Sequence, residues 1–363
     1  MNNRSLAATI VIVFLIGARA CALNIDDPGD VKAAIERISD RIVEAKPAKE
    51  YNWDWGENLL MRGLIRASEV TGDERYFDFT LGWLDRYCVG SGAYVPVEVD
   101  DVASAFSAIL AYEKTGKKKY LNCTNTAWYF LNKGSNRLED GTVVHSASGQ
   151  LWLDSLYMVT PFIANLGKVK NDNSKFDMAA AQILQNISRT EDPATHLSYH
   201  MWDPEKGHSP HFWARGNGWV VMATAEVLEV LPADHPRRKE LIDLLNRRLT
   251  AIIALQDAGG LWHTVLDRPD SYLEVSASAM YAFAIERGVR RGWLPESMLP
   301  SAVNALNAIG PFIQPDGMVT GVSAGTGPGD FANYMKIPTG EYTWGTGSTI
   351  MALGERLEML NGK

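Results

Sequence analysis

Apolar residues recur at helical spacing along most of this chain. Twelve stretches carry the pattern, at roughly 30–46, 54–71, 73–88, 101–115, 117–132, 150–167, 174–189, 215–231, 236–256, 274–291, 296–313 and 344–360. Alternating, strand-like runs such as Gly141-Thr142-Val143-Val144-His145 and Leu261-Trp262-His263-Thr264-Val265 are short and lie between helices. No strand–helix–strand alternation is present, which excludes a doubly wound sheet.

The connections alternate in length. Thr71-Gly72-Asp73 and Thr115-Gly116-Lys117 are tight turns, and the octads around them, Glu69 to Tyr76 and Glu113 to Tyr120, resemble each other. Their glycines are 44 residues apart, the length of one helical hairpin with its loops. Long loops run at about 89–100, 133–149, 190–214, 257–273 and 314–343. Short and long loops in alternation place every long loop at one end of the molecule. Helices that follow long loops are apolar nearly all round, as in Val102 to Leu110 and Val275 to Phe283, which predicts burial. Their partners, such as Arg237 to Asp243, are amphipathic. The expectation is an all-α fold, an inner ring of six helices inside an outer ring of six: the (α/α)6 barrel, a six-hairpin toroid. No linker marks a boundary, so residues 23–363 read as one domain.

Composition narrows the function. The formal net charge is −8, without the basic face of a nucleic-acid binder. Residues 1–22 read as a secretory signal: a short basic start, an apolar run from Leu6 to Ala18 too short to span a bilayer, then small residues. The mature protein is expected to be secreted or periplasmic and free of membrane. Cys21 alone does not make a lipoprotein signal, because Arg19-Ala20 before it is a poor match. Cys88 and Cys123 could form one disulfide in an exported protein. Asn122-Cys123-Thr124 and Asn186-Ile187-Ser188 are glycosylation sequons. His196, His208, His211 and His263 lack zinc spacing, and no phosphate-binding loop, dinucleotide fingerprint or nucleophile elbow occurs. Neither a metal nor a cofactor is expected.

The unusual residues fall where the inner helices begin. Trp53-Asp54-Trp55-Gly56-Glu57-Asn58 opens the first, Asp100-Asp101 the second, and Gln150-Leu151-Trp152-Leu153-Asp154-Ser155 the third. His211-Phe212-Trp213-Ala214-Arg215-Gly216-Asn217-Gly218-Trp219 opens the fourth, Glu274-Val275-Ser276 the fifth, and Trp344-Gly345-Thr346-Gly347-Ser348 the sixth. Six positive helix ends at one mouth suit an anion, and Arg215 adds a planar cation that fits a carboxylate. Desolvation among the rings should raise one carboxyl into the range of a general acid, and Asp154, beside Trp152 and Leu153, is the candidate. Asp100 and Asp101 read either as helix caps or as holding the second carboxylate. His145 and His200 lie in long loops at the same mouth and suit sugar hydroxyls or an ordinary loop role. Gly325-Thr326-Gly327-Pro328-Gly329 reads as a plain loop.

These segments resemble glycoside hydrolase family 105, the unsaturated rhamnogalacturonyl hydrolases, and its relative family 88, the unsaturated glucuronyl hydrolases. Trp213 to Trp219 and Leu151 to Met158 carry most of the resemblance, with Tyr199 to Asp203 and Trp344 to Ser348 in support. It implies the (α/α)6 fold, an anionic unsaturated oligosaccharide as partner, Asp154 as general acid and Asp100 as the assisting carboxylate. Asp101 follows Asp100 where relatives commonly have a non-acidic residue. The resemblance also implies that Arg215, Trp219 and Trp213 hold the uronate, with His200, His145, Asp101, Trp55 and Trp344 as further substrate contacts. The implied reaction hydrates the vinyl ether of a 4,5-unsaturated uronic acid. The principal substrate class is unsaturated galacturonyl-rhamnose from rhamnogalacturonan. Rival readings are unsaturated ulvan or glycosaminoglycan fragments, another (α/α)6 enzyme such as a polysaccharide lyase or a sugar epimerase, and a sugar-binding protein without activity.

Overall fold

The computed structural model describes residues 23–362 apart from 91, 92 and 147; the expected signal segment, 1–22, lies outside the described residues. Six helices form the inner ring: α2 (Trp55–Thr71), α4 (Ser104–Thr115), α6 (Asp154–Lys170), α8 (Ala214–Val230), α10 (Val275–Arg290) and α13 (Thr343–Leu360). Each packs on the next, and α13 packs on α2, so the ring closes. The outer ring is α1 (Pro28–Ala45), α3 (Glu74–Tyr87), α5 (Tyr120–Tyr129), α7 (Asn173–Thr190), α9 (Arg238–Ile253) and α11 (Leu299–Ile309). Helices α3, α5, α7, α9 and α11 each pack on the inner helix before them, and α1 packs on α13. This is the (α/α)6 barrel.

The chemistry of each helix explains its place. Every residue of α8 from Ala214 to Leu228 is buried, as is every residue of α10 from Val275 to Val289. Helix α9 buries only Leu241, Leu244, Leu245, Arg248, Leu249 and Ile252, a single stripe at helical spacing. The turns at Gly72 and Gly116 need left-handed backbone, with φ of 80° and 67°, and each glycine N–H caps its helix, on Ser68 and Tyr112. Ring closure needs two more glycines. A Cβ on Gly347 of α13 would stand 2.1 Å from the Leu59 carbonyl oxygen of α2, and one on Gly63 would stand 2.9 Å from Gly347 Cα. The first and last inner helices therefore meet backbone to backbone.

Four details differ from the sequence reading. Helix α6 starts at Asp154 because Leu151–Trp152 forms a strand, β1, antiparallel to β2 (Met201–Asp203), which pairs in turn with β3 (Gly207–His208). Helix α4 starts at Ser104, after a 3-10 turn over Asp100–Val102. The last long loop contains a short thirteenth helix, α12 (Phe331–Met335), capped by Asp330. Its strand β6 (Val322–Ser323) pairs with β7 (Thr339–Gly340); β4 (Trp262–His263) and β5 (Leu273–Glu274) form the remaining ladder. Finally, Asn186 is buried and donates to the Trp152 carbonyl at 3.3 Å, so its sequon is closed to glycosylation in the fold.

Cys88 and Cys123 form a disulfide with Cα atoms 5.1 Å apart, tying the end of α3 to α5. Among the described residues no helix is long and apolar enough to cross a membrane.

Candidate active site

All six inner helices begin at one mouth, where a cavity of about 250 Å³ opens. Its wall comes from four inner-helix entrances and two loops. Trp55 stands at the start of α2, Asp100 in the turn before α4, Asp154 and Met158 on α6, and Trp213 and Arg215 at the start of α8. The loops contribute His145, Trp152 and the segment Gly325-Thr326-Gly327.

Asp154 is the first residue of α6, and its carboxylate caps nothing. It is placed by the β1–β2 ladder: Trp152 pairs with Met201, and the Leu153 N–H donates to the His200 carbonyl at 3.2 Å. His200 is thereby carried beside Asp154, with Nε2 3.3 Å from Asp154 Oδ2. The approach is close but off-axis, so neither atom has a well-aligned hydrogen bond. His200 is fully buried, stacked on Trp213 at 4.1 Å between ring centroids, and its Nδ1 lies 2.8 Å from the Tyr334 hydroxyl.

Asp100 faces the same cavity, and its Oδ1 is also without a hydrogen bond. His145 lies between the two acids' surroundings, with Nδ1 3.0 Å from Ser155 Oγ and 3.9 Å from Asp100 Oδ1. Its ring is stacked on Trp152 at 4.2 Å.

The proton inventory reverses the sequence expectation. Burial pushes Asp154 up, but the His200 ring beside it, the His145 ring and the positive charge of Arg215 outweigh it, so its pKa falls below the ordinary aspartate value. Burial lowers both His200 and His145, keeping the imidazoles neutral. Asp100 is the raised carboxyl, held well above its usual range by burial and by the charges of Asp154, Glu98, Asp54 and Asp101. Two nearby carboxylates without paired cations cannot both ionise cheaply, and here the first to ionise is Asp154.

Several other expected contacts are placed differently. Asp101 organises its own loop: its carboxylate accepts from the Val97 N–H at 2.9 Å and the Tyr94 hydroxyl at 3.0 Å, so it does not face the cavity. Arg215 lies in the cavity wall, but its guanidinium is held by the last long loop. It donates to the Ser323 and Ala324 carbonyls at 2.9 and 2.7 Å, to Ser323 Oγ, and to Thr326 Oγ1 at 3.2 Å. Glu274, which caps α10, sits 3.7 Å behind it. Trp219 is buried behind Trp55 in an edge contact at 5.9 Å and packs on Tyr157, outside the cavity lining. Trp344 braces Trp55 by stacking at 4.6 Å and donates to the Ser323 carbonyl at 3.1 Å. His200 likewise stands one layer behind the wall.

The residues the sequence reading missed belong mainly to the last long loop. Ser323 and Thr326 fasten Arg215, the glycine segment closes one side of the cavity, and Tyr334 reaches His200. The glycine run was visible; only its spatial neighbours were not.

A closed ring of helical hairpins with two carboxylates in an aromatic mouth is a toroid with an acid pair at its open end, and the family match makes it a glycosidase. The chain belongs to Glycosyl Hydrolase Family 88, whose profile matches residues 32–360. It is 31% identical to the unsaturated rhamnogalacturonyl hydrolase YesR of Bacillus subtilis (strain 168), over 89% of this chain and 95% of that protein. It is 28% identical to an unsaturated 3S-rhamnoglycuronyl hydrolase of Formosa agariphila, over 87% of this chain and 91% of that one. The solved structure of a family 105 glycoside hydrolase from C. acetobutylicum superposes with a TM-score of 0.82 at 29% identity, covering 89% of this chain and 98% of that chain.

Proposed function

We propose that this protein removes a 4,5-unsaturated uronic acid from the non-reducing end of lyase-generated oligosaccharides, with unsaturated galacturonyl-rhamnose as its main substrate. The observation that carries the reading is the pair Asp154 and Asp100 in one aromatic cavity, in a chain similar over nearly its whole length to hydrolases of such sugars.

The reaction is hydration of a vinyl ether rather than direct displacement at the anomeric carbon, so the carboxylate-separation rule for ordinary glycosidases does not govern it. The anionic uronate displaces water from the cavity and brings negative charge beside Asp154. Both effects raise that carboxyl and let it take up a proton. Asp154 gives the proton to C4 of the sugar. Water attacks C5 and loses its proton to a carboxylate of the pair, leaving a hemiketal. The hemiketal opens, and the hemiacetal left at C1 releases the next sugar. Asp100, the carboxyl held above its usual range, keeps its proton longer than Asp154 and donates a hydrogen bond to the sugar in that form. Arg215 contributes its positive field while fastening the loop over the cavity, and Trp55 and Trp152 offer faces for the flattened ring. Export is part of the same reading: residues 1–22 carry a basic start, an apolar run and small residues, the pattern of a signal for secretion.

The test is a panel of lyase-generated disaccharides, from rhamnogalacturonan, ulvan and glycosaminoglycans, followed by ultraviolet absorbance of the unsaturated bond. Absorbance falls with the galacturonyl-rhamnose disaccharide fastest. A rise in absorbance on intact polysaccharide identifies a lyase and overturns the reading.

A further inference from the structure

Helix α12 is a single short turn of helix in the last long loop, yet it places a fully buried tyrosine against the site. The Tyr334 hydroxyl lies 2.8 Å from His200 Nδ1, and on the other side of the ring Nε2 faces Asp154 Oδ2 at 3.3 Å. The three side chains form one line from α12 through β2's approach to the start of α6. The imidazole has little freedom within it. Trp213 covers one face, Trp152 meets it edge-on at 5.7 Å, and the backbone of His200 is tied at both polar groups, to His211 and Leu153.

We propose that Tyr334 is a positioning residue: its phenol donates to His200 Nδ1 and so fixes the tautomer in which Nε2–H is presented to Asp154. A neutral imidazole has one donor and one acceptor nitrogen, and the partner at one nitrogen decides the role of the other. Burial keeps the phenol protonated and the imidazole neutral, consistent with this arrangement. The charged groups that face Asp154 are His200, His145, Arg215 and, across the cavity, Asp100; those that face His200 are Asp154 and Arg215. Of these partners, Tyr334 alone touches His200 at Nδ1.

Asp154 needs two opposite properties. It must ionise readily in the free protein and yet accept a proton once the uronate is bound. A neutral N–H dipole close to the carboxylate favours its charge without the fixed charge of an arginine, so the preference can be reversed by an incoming anion. This function for Tyr334 rests on the reading of Asp154 as the acid; the tautomer does not.

The test labels the histidine ring nitrogens with 15N in the full chain and compares wild type with Tyr334→Phe. In wild type, His200 is expected as the Nε2–H tautomer; in Tyr334→Phe the Nδ1–H form appears. Turnover of the unsaturated disaccharide falls about tenfold with KM within about twofold, the order expected when a reacting group is slightly misplaced. The basic limb of the kcat profile moves to higher pH, because a carboxylate that loses a donor is protonated more easily. An Nδ1–H tautomer in wild type overturns the proposal even if the variant fails to fold. So does a tautomer and pH profile unchanged in Tyr334→Phe. Full turnover in Asp154→Asn, by contrast, removes the acid assignment and leaves the tautomer result standing.

Discussion

The two ends of the barrel hold the same kinds of side chain in opposite conditions. At the base, where inner helices end, buried arginines and glutamates are cross-paired. Glu226 joins Arg62 at 3.1 Å to Arg287 at 3.0 Å; Glu355 joins Arg287 at 2.6 Å to Arg66 at 3.1 Å and Arg290 at 2.5 Å. At the mouth, Asp154 faces a neutral imidazole and Asp100 faces other acids. Pairing decides what burial does. Burial pushes Glu355 up, but Arg287 and Arg66 override it and hold the carboxyl at about 2, so it never exchanges a proton near neutrality. Asp100, half-buried among acids with no cation paired to it, is pushed the other way. The base is locked, and two of its cations, Arg287 and Arg290, lie in the last turn of α10, where the backbone dipole favours them. The mouth retains groups whose protonation can change, which is what general acid–base chemistry requires.

The largest effect that tests this contrast is at the mouth. Asp154→Asn should lower turnover about 10³-fold, within the range of general acid catalysis, while leaving the thermal transition nearly unmoved. Near-wild-type loss of ultraviolet absorbance in that variant would remove the chemical half of the comparison.

At the base the expected effect is on stability. Glu355→Gln leaves Arg66, Arg287 and Arg290 with a neutral partner and should destabilise the fold by about 3–5 kcal/mol in urea unfolding at pH 7. Because the folded-state pKa of Glu355 lies below its ordinary 4.5, its contribution is present above that value and is lost as pH falls toward about 2. The difference between wild type and variant should therefore shrink between pH 4.5 and pH 2. A pH-independent difference would mean that shape, not charge, does the work.

The smallest effect has the opposite sign. The folded-state pKa of Asp100 is raised above its ordinary 3.8, so ionising it costs stability as pH rises above that value. Asp100→Asn should stabilise the protein at pH 7 by about 1 kcal/mol, with the gain vanishing below the ordinary aspartate range, while turnover falls. Lower stability at pH 7 would show that Asp100 is a structural acid like Glu355.

Asp101 shows how little of this inventory could be read without the fold. It adjoins Asp100 in sequence and has the same chemistry, but the tight turn over Asp100–Val102 points the two carboxylates apart, one to the cavity and one to Tyr94 and the Val97 N–H. Arg215 is similar. A guanidinium at a helix start predicts an anion site, but the loop residues that occupy its donors lie 108 and 109 residues further along the chain. The expectation that burial would raise Asp154 counted the rings beside it and not His200, which is brought in from the loop just before β2.

The periodicity of apolar residues and the alternation of loop lengths were enough to determine twelve helices, their inner and outer places, and the end of the barrel at which the long loops gather. Those properties follow from local spacing and from which faces must leave water, and both are written residue by residue. Helix α12, the strand that advances the start of α6 to Asp154, the tie on Arg215 and the location of the proton were decided only by tertiary structure. Each depends on a partner distant in the chain, and a pKa or a tautomer is set by what lies within a few ångströms in space.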